Sequence, residues 1–181
     1  GFAGYIPALL PFSALVLTPV FGGISDKKGK AASIMVLGSI ILVIVHLLFS
    51  IPSLNSLSVA IGLVVLLGIA FSLVPSAMWP AVAKIIPHNK LGTAYAMIFW
   101  VQNWGLMGVP LLIGYVLDKY CIISTESKMI EGKTQLITNY DYSIPMLIFA
   151  AFGFVGILFA FLLKKEDKKM GYGLELPNVK E

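Results

Sequence analysis

Five long apolar stretches run through this chain of 181 residues, and they constrain its fold more than any other feature. Each is near or above the ~20 residues that an α-helix needs to cross the hydrocarbon core of a bilayer. Only 12% of the residues are charged, against about 25% in an ordinary soluble domain. A soluble chain of this composition would lack the polar side chains to cover its own surface. The predicted spans cover residues 1–25, 31–51, 57–83, 91–117 and 143–163, so the predicted fold class is an all-α membrane protein.

The lysines predict how these spans are oriented. All thirteen basic residues are lysines, and ten of them lie in the segments 26–30 and 84–90 and in the tail 164–181. The other three lie in the segment 118–142, where acidic residues offset them. Basic residues accumulate on the cytoplasmic side of membrane proteins, so we expect the ten lysines in the cytoplasm and 118–142 to form an external loop. The net charge of +4 therefore reflects membrane topology, and no nucleic-acid partner is expected.

Glycines within the spans predict close contacts between helices. Small residues let helix backbones approach each other in a membrane, where lipid gives no hydrophobic drive for helix association. We expect such contacts at Gly62 and Gly68 in the third span and at Gly153 and Gly156 in the last.

The strongest local pattern lies between the first two spans, in the predicted cytoplasmic loop. Gly22 is followed by Asp26, Gly29 and Lys30. Gly22 allows close packing against a neighbouring helix, and Gly29 permits a tight turn. Asp26 is suited to cap the next helix, whose first N–H groups are unpaired, and Lys30 to pair with Asp26 or with a helix C-terminus. The alternative is a generic turn on the lysine-rich side.

This segment resembles the conserved cytoplasmic-loop motif of the major facilitator superfamily. In that family the motif recurs between helices two and three and between helices eight and nine. The resemblance implies a C-terminal bundle equivalent to helices eight to twelve, which works against an N-terminal half by alternating access. It also implies a gating role for the motif. Lys30 stands where the family commonly has Arg, which keeps the charge but loses bidentate geometry.

Three further stretches narrow the resemblance. Residues 77–80 (Ala-Met-Trp-Pro), 91–96 (Leu-Gly-Thr-Ala-Tyr-Ala) and 101–105 (Val-Gln-Asn-Trp-Gly) are similar to the lysosomal dipeptide-transporter branch of the superfamily and its bacterial relatives. The resemblance implies a small-molecule substrate, with dipeptides or amino-acid-like solutes as its class. The short tail carries no recognised lysosomal sorting signal, so we expect a bacterial inner membrane as the location, or a lysosomal membrane in a eukaryote.

The same stretches supply the candidate substrate-binding residues. Ser76 and Trp79 share one helix face, as do Tyr95 and Gln102, with Asn103 adjacent. Gln102 and Asn103 lie well inside a span, where an unpaired amide costs several kcal/mol, so each must face another helix or a wet cavity. Amides bind peptide-like substrates through both donors and acceptors. Hydrogen bonding between helices is the alternative role.

Intramembrane acids, which mark proton relays in many transporters, are missing, because all nine carboxylates lie in loops, at span ends or in the tail. His46 lies late in the second span, where a satisfied or interfacial role is expected. The sequence has no recognisable spacing for a metal site, a catalytic triad or a phosphate loop, so neither an enzyme nor a cofactor is expected. The expected function is secondary transport, and the alternative is a transporter-like fold that acts as a membrane receptor or assembly factor.

Overall fold

Five α-helices dominate the computed structural model, which describes residues 8–54, 56–130 and 133–178. Each helix is long and apolar enough to cross a membrane, which confirms the predicted all-α membrane fold. The helices are α1 (Leu9–Lys28), α2 (Ala31–Phe49), α3 (Leu57–Ile85), α4 (Leu91–Tyr120) and α5 (Ser143–Met170). The first seven residues of the first predicted span lie outside the described residues.

Two predicted segments contain secondary structure that the prediction from sequence did not specify. The predicted external loop 118–142 contains an antiparallel hairpin of β1 (Ile122–Ile130) and β2 (Lys133–Tyr140). The predicted tail 164–181 is helical in its first part, because α5 continues to Met170. Lysines need not end a helix once it has left the apolar core, since they are good helix formers.

Local signals fix the helix ends. The Ser56 hydroxyl accepts a hydrogen bond from the N–H of Val59 at the start of α3, and Asp141 does the same for Ser143 at the start of α5. Between α1 and α2 the backbone turns through Gly29 (φ 72°) and Lys30 (φ 65°). A left-handed pair of residues interrupts the helical ladder, so two helices form instead of one.

Four helices pack in a row in the order α1, α3, α2, α5. Glycines mark the close contacts: a Cβ on Gly68 would lie 2.5 Å from Ser13 Cβ of α1, and one on Gly153 would lie 2.6 Å from Val43 Cγ2 of α2. Gly156 faces Ser39 at ordinary contact distance. The prediction is confirmed for these positions. A Cβ on Gly62 would meet no atom within 4 Å among the described residues, so a contact at Gly62 is not made within this part of the chain.

Helix α4 stands apart from this row. No residue in its membrane-spanning window is buried within the described chain. Most of its large side chains are exposed, among them Trp100 (63%) and Trp104 (58%). Helix α4 meets the rest of the bundle mainly near Trp79 of α3 and across a groove from Phe149 of α5.

The lysine-bearing segments meet at one end of the bundle, called here the lysine-rich end. The segment after α5 bonds to the α1–α2 turn and to Lys84 near the end of α3. A buried cluster lies just above these contacts; its members are Ala31, Met35, Ala77, Ala81, Ala160 and Leu174. The hairpin emerges from the C-terminal end of α4 and leads into the start of α5.

Candidate substrate site and gating motif

An aromatic cluster joins α3 to α4. The ring of Trp79 lies 5.6 Å from that of Tyr95 and is stacked at 5.2 Å on that of Phe99, measured between centroids. The Tyr95 hydroxyl donates a hydrogen bond of 3.2 Å to the carbonyl oxygen of Trp79. The short turn at residues 86–90 reverses the chain, so the end of α3 faces the start of α4. The structure therefore brings together two of the predicted residues, Trp79 and Tyr95.

Phe99 belongs to this cluster and was not among the predicted site residues. It lies four residues after Tyr95, and residues at that spacing share a helix face. That spacing was the available signal, but choosing Phe99 over its aromatic neighbour Trp100 required the position of Trp79. Trp100 instead packs edge to face with Trp104.

Gln102 lines a groove between α4 and α5 of about 830 Å³. The groove is almost entirely apolar, with Val109 and Pro110 on α4 and Phe149 on α5. Gln102 lies three residues beyond Phe99, close to one turn of helix. The amide thus stands on the α4 face that continues from the aromatic cluster.

Asn103 and Ser76 are bonded within their own helices. The Asn103 amide donates a hydrogen bond of 2.8 Å to the carbonyl of Phe99, and its side chain is exposed. The Ser76 hydroxyl donates a hydrogen bond of 2.8 Å to the carbonyl of Leu73, and the residue is buried. Asn103 therefore remains open to a ligand, whereas Ser76 lies within the helix packing.

The candidate gating motif, formed by Gly22, Asp26, Gly29 and Lys30, makes contacts that differ from those predicted. Asp26 does not cap α2, and no Lys30–Asp26 ion pair occurs among the residues that the structure describes. The Asp26 carboxylate instead accepts a hydrogen bond of 2.6 Å from the side-chain amide of Asn178. Gly29 has the expected positive φ. A Cβ on Gly22 would meet no described atom within 4 Å, so the neighbour predicted for Gly22 is not in this part of the chain.

Comparison of the sequence with known protein families identifies the family of this chain. The profile described as Major Facilitator Superfamily matches residues 1–175. The chain belongs to the major facilitator superfamily. Together with the five apolar helices, membership of the superfamily makes the protein a multi-pass integral membrane protein.

The similar superfamily members are named as transporters. The chain is 34% identical to the lysosomal dipeptide transporter MFSD1 of Gallus gallus, over 56% of this chain and 22% of that protein. It is 32% identical to the Homo sapiens protein of the same name, over 56% of this chain and 21% of that protein. It is 33% identical to the inner membrane transport protein YdiN of Escherichia coli (strain K12), over 62% and 26%. The matched segments thus span about a quarter or less of these relatives. No solved structure matches the chain significantly.

A second, apolar cavity of about 370 Å³ lies between α2, α3 and α5 of this superfamily member. His46 lines it, and the Nδ1 atom of its ring is 2.8 Å from the carbonyl oxygen of Leu42. Because a carbonyl only accepts, Nδ1 carries the proton in this contact. The ring lies 5.4 Å from that of Phe149. No cluster of His, Cys, Asp or Glu suited to a metal occurs in the described ranges.

The base of the hairpin holds the ends of α4 and α5 together. The N–H of Asp141 donates a hydrogen bond of 2.7 Å to the carbonyl of Cys121. Burial, and to a lesser extent the Asp141 carboxylate, raise the pKa of the Cys121 thiol. Hydrogen bonds from the side chain and backbone of Ser143 lower the pKa of Asp141, so this carboxylate stays charged at the start of α5, where the helix dipole favours it.

Proposed function

We propose that the full-length protein is a secondary transporter that moves a small organic solute across its membrane by alternating access, with dipeptides as the substrate class. Membership of the superfamily and the transporter names of the relatives support transport. The lysosomal dipeptide transporters among those relatives support the substrate class. The five helices would work against an N-terminal half that supplies the rest of the cavity.

The observation that carries the proposal is the pair of exposed amides on α4. Gln102 and Asn103 lie near the middle of a helix that is unburied along its spanning window. The Asn103 amide donates one hydrogen bond to its own helix, but in hydrocarbon each further polar group of these amides that is left without a partner costs several kcal/mol. A water-filled cavity lined by α4 removes that cost, and such a cavity is where the substrate sites of these transporters lie.

The chemistry around these amides suits a dipeptide. Trp79, Tyr95 and Phe99 form an apolar wall against which a side chain can pack. Gln102 and Asn103 offer donors and acceptors that match a peptide group. We assign substrate contact to these residues; Ser76, whose hydroxyl is already bonded inside α3, would act only through the position of Trp79.

We further propose that this part of the protein does not carry a coupling proton. Proton relays at membrane depth are built on carboxylates or histidines, and the nine carboxylates lie outside the middle of the spans. His46 lies in the last turn of α2, near the end of the span and away from its middle. Either the N-terminal half binds the proton or the protein is a uniporter. Concentrative uptake under an imposed pH gradient that disappears in His46→Ala would overturn this proposal.

Uptake of labelled dipeptides into proteoliposomes containing the full-length protein tests the main proposal. Gln102→Ala and Trp79→Ala should raise KM by about tenfold, the effect of ~1.4 kcal/mol of lost binding, while the melting temperature in detergent changes little. Trp104→Ala is the matched control, because Trp104 is exposed on α4 outside the aromatic cluster and should leave KM unchanged.

Two results would count against the proposal. A loss of folding in Gln102→Ala and Trp79→Ala without a change in KM would assign both residues to helix packing. Saturable binding of a dipeptide without any uptake by the intact protein would favour the alternative, a transporter-like receptor.

A further inference from the structure

The residues that follow α5 fold back beneath the bundle. We call residues 171–178 the C-terminal clasp. Gly171 (φ 72°) and Gly173 (φ 76°) allow the chain to reverse, and the N–H of Leu174 donates a hydrogen bond of 3.0 Å to the Asp167 carboxylate. Leu174 is fully buried and completes the cluster at the lysine-rich end. A segment that buries a leucine side chain in the core is part of the fold.

The clasp supplies the cap that α2 lacks. The N–H groups of Lys30 and Ala31 donate to the carbonyl oxygens of Glu175 (3.2 Å) and Leu174 (2.9 Å). The Glu175 carboxylate accepts from both the N–H (2.9 Å) and the hydroxyl (2.7 Å) of Ser33. Three donors that would otherwise be unpaired in the first turn of α2 are thus satisfied, and a negative charge lies at the positive end of the helix dipole.

The clasp also binds the other helices of the row. The Lys84 ammonium of α3 donates to the carbonyl oxygens of Gly173 (2.9 Å) and Leu176 (3.0 Å). Lys164 of α5 lies 3.9 Å from the Glu175 carboxylate. The clasp therefore connects the lysine-rich ends of α2, α3 and α5.

The last described residue of the clasp holds the gating motif. The backbone N–H of Asn178 donates a hydrogen bond of 2.8 Å to the carbonyl of Asp26, and its side-chain amide donates one of 2.6 Å to the Asp26 carboxylate. Asp26 is only half-buried. A carboxylate accepts several hydrogen bonds, so Asn178 can fix its orientation and still leave acceptor capacity for a second partner.

We propose that the C-terminal clasp positions Asp26 for its contact with the other half of the transporter, with Asn178 as the positioning residue and Glu175 as the anchor. This inference rests on the proposed function, because it assigns the clasp a role in alternating access. Removing Asn178 frees the Asp26 carboxylate to rotate and weakens the contact that closes the lysine-rich end. The interconversion of the states open to either side of the membrane then slows, or its equilibrium shifts.

A double-mutant cycle in the full-length protein tests this role. Asn178→Ala, Asp26→Asn and the double variant are compared by hydrogen–deuterium exchange of peptides covering residues 22–34 and by uptake rate. Each single change should alter both quantities by about threefold, within the range of coupling energies for residues in contact. The double variant should be no worse than the stronger single variant, because Asn178 acts through Asp26.

Two controls separate positioning from general stability. Asn178→Gln keeps an amide donor and should recover most of both effects. Asn139→Ala removes an exposed amide that makes one side-chain hydrogen bond on the hairpin, so it should leave exchange at 22–34 and the uptake rate unchanged. A merely structural role for Asn178 would show as a fall in melting temperature without coupling to Asp26.

The exchange measurement needs no substrate, so it judges the clasp separately from transport. Two results would overturn the positioning role of the clasp even if uptake is observed. One is a change in hydrogen–deuterium exchange in the double variant that equals the product of the two single changes. The other is unchanged exchange in Asn178→Ala. Non-additive exchange in a protein that takes up no solute would support the clasp's hold on Asp26 and overturn its role in transport together with the proposed function.

Discussion

Gly29 is the position where one added methyl group should disturb the lysine-rich end most. Its backbone (φ 72°, ψ −142°) lies in a region that is nearly restricted to glycine, at a cost of about 1–3 kcal/mol for other residues. A Cβ there would also lie 2.5 Å from the carbonyl carbon of Leu176 and 2.6 Å from the carbonyl oxygen of Glu175. Both are backbone atoms of the clasp, so no side-chain rotation relieves the overlap.

The two effects add to a loss of about 2–6 kcal/mol if the clasp stays in place, taking ~1–3 kcal/mol for an overpacked contact. Release of the clasp would relieve the overlap, but it would itself cost free energy of folding. It would expose Leu174, and burying a leucine side chain contributes roughly 1.5–3 kcal/mol. Gly29→Ala should therefore lower the apparent melting temperature in detergent on the order of 5–10 °C.

Two other glycines separate the causes. Gly171 has the same φ of 72°, but an added Cβ there would meet no described atom within 4 Å; Gly23 lies inside α1, and an added Cβ there would likewise meet none of the described atoms. Gly171→Ala should lose about 1–2 kcal/mol from the backbone alone, and Gly23→Ala should match or exceed the wild type. A melting temperature for Gly29→Ala within about 2 °C of that for Gly171→Ala would refute the argument that the clasp backbone abuts Gly29.

Three further predictions concern other parts of the chain. Gly153→Ala forces a methyl group against α2 and should cost about 1–3 kcal/mol, whereas Gly156→Ala, with its nearest contact at 3.4 Å, should melt near the wild type. Maleimide labelling of Cys121 should be slow at neutral pH because its raised pKa leaves little thiolate, and Asp141→Asn should accelerate it; equal rates would contradict the electrostatic contribution. An impermeant maleimide added to intact cells should label Ser127→Cys in a Cys121-free background, and protection of that cysteine would reverse the proposed orientation.

The spans and the lysine-rich end were predictable because both depend on local composition. Apolar length marks each crossing regardless of what surrounds it. The hairpin was not predicted, because a register shift between Ile122 and Ser124 and many polar residues obscure the alternation of β1. The sequence predicted a membrane span that ends at residue 163, and the helix α5 continues to Met170, because apolar length marks the extent of the membrane core and does not mark the end of the helix.

The candidate site was predictable only in part. Spacing placed Tyr95 and Gln102 on one face, but the partnership of Trp79 with Phe99 depends on how the α3–α4 turn aligns two helices. The clasp could not be predicted from the sequence, for a different reason. Glu175 caps Ser33 across 142 positions of sequence, and a pattern of neighbouring residues carries no signal for such a pairing. The sequence therefore predicted Asp26 as the cap of α2, whereas Glu175 caps that helix.

The hairpin base has a consequence for how α4 and α5 are joined. The Cys121–Asp141 hydrogen bond closes the connection at its root, so the two helix ends are held as if by a very short link. The entropy cost of a closed loop rises only with the logarithm of its length. We therefore expect the hairpin to tolerate lengthening or shortening beyond its root, including insertion of an epitope tag, while the spacing of α4 and α5 in the membrane stays the same.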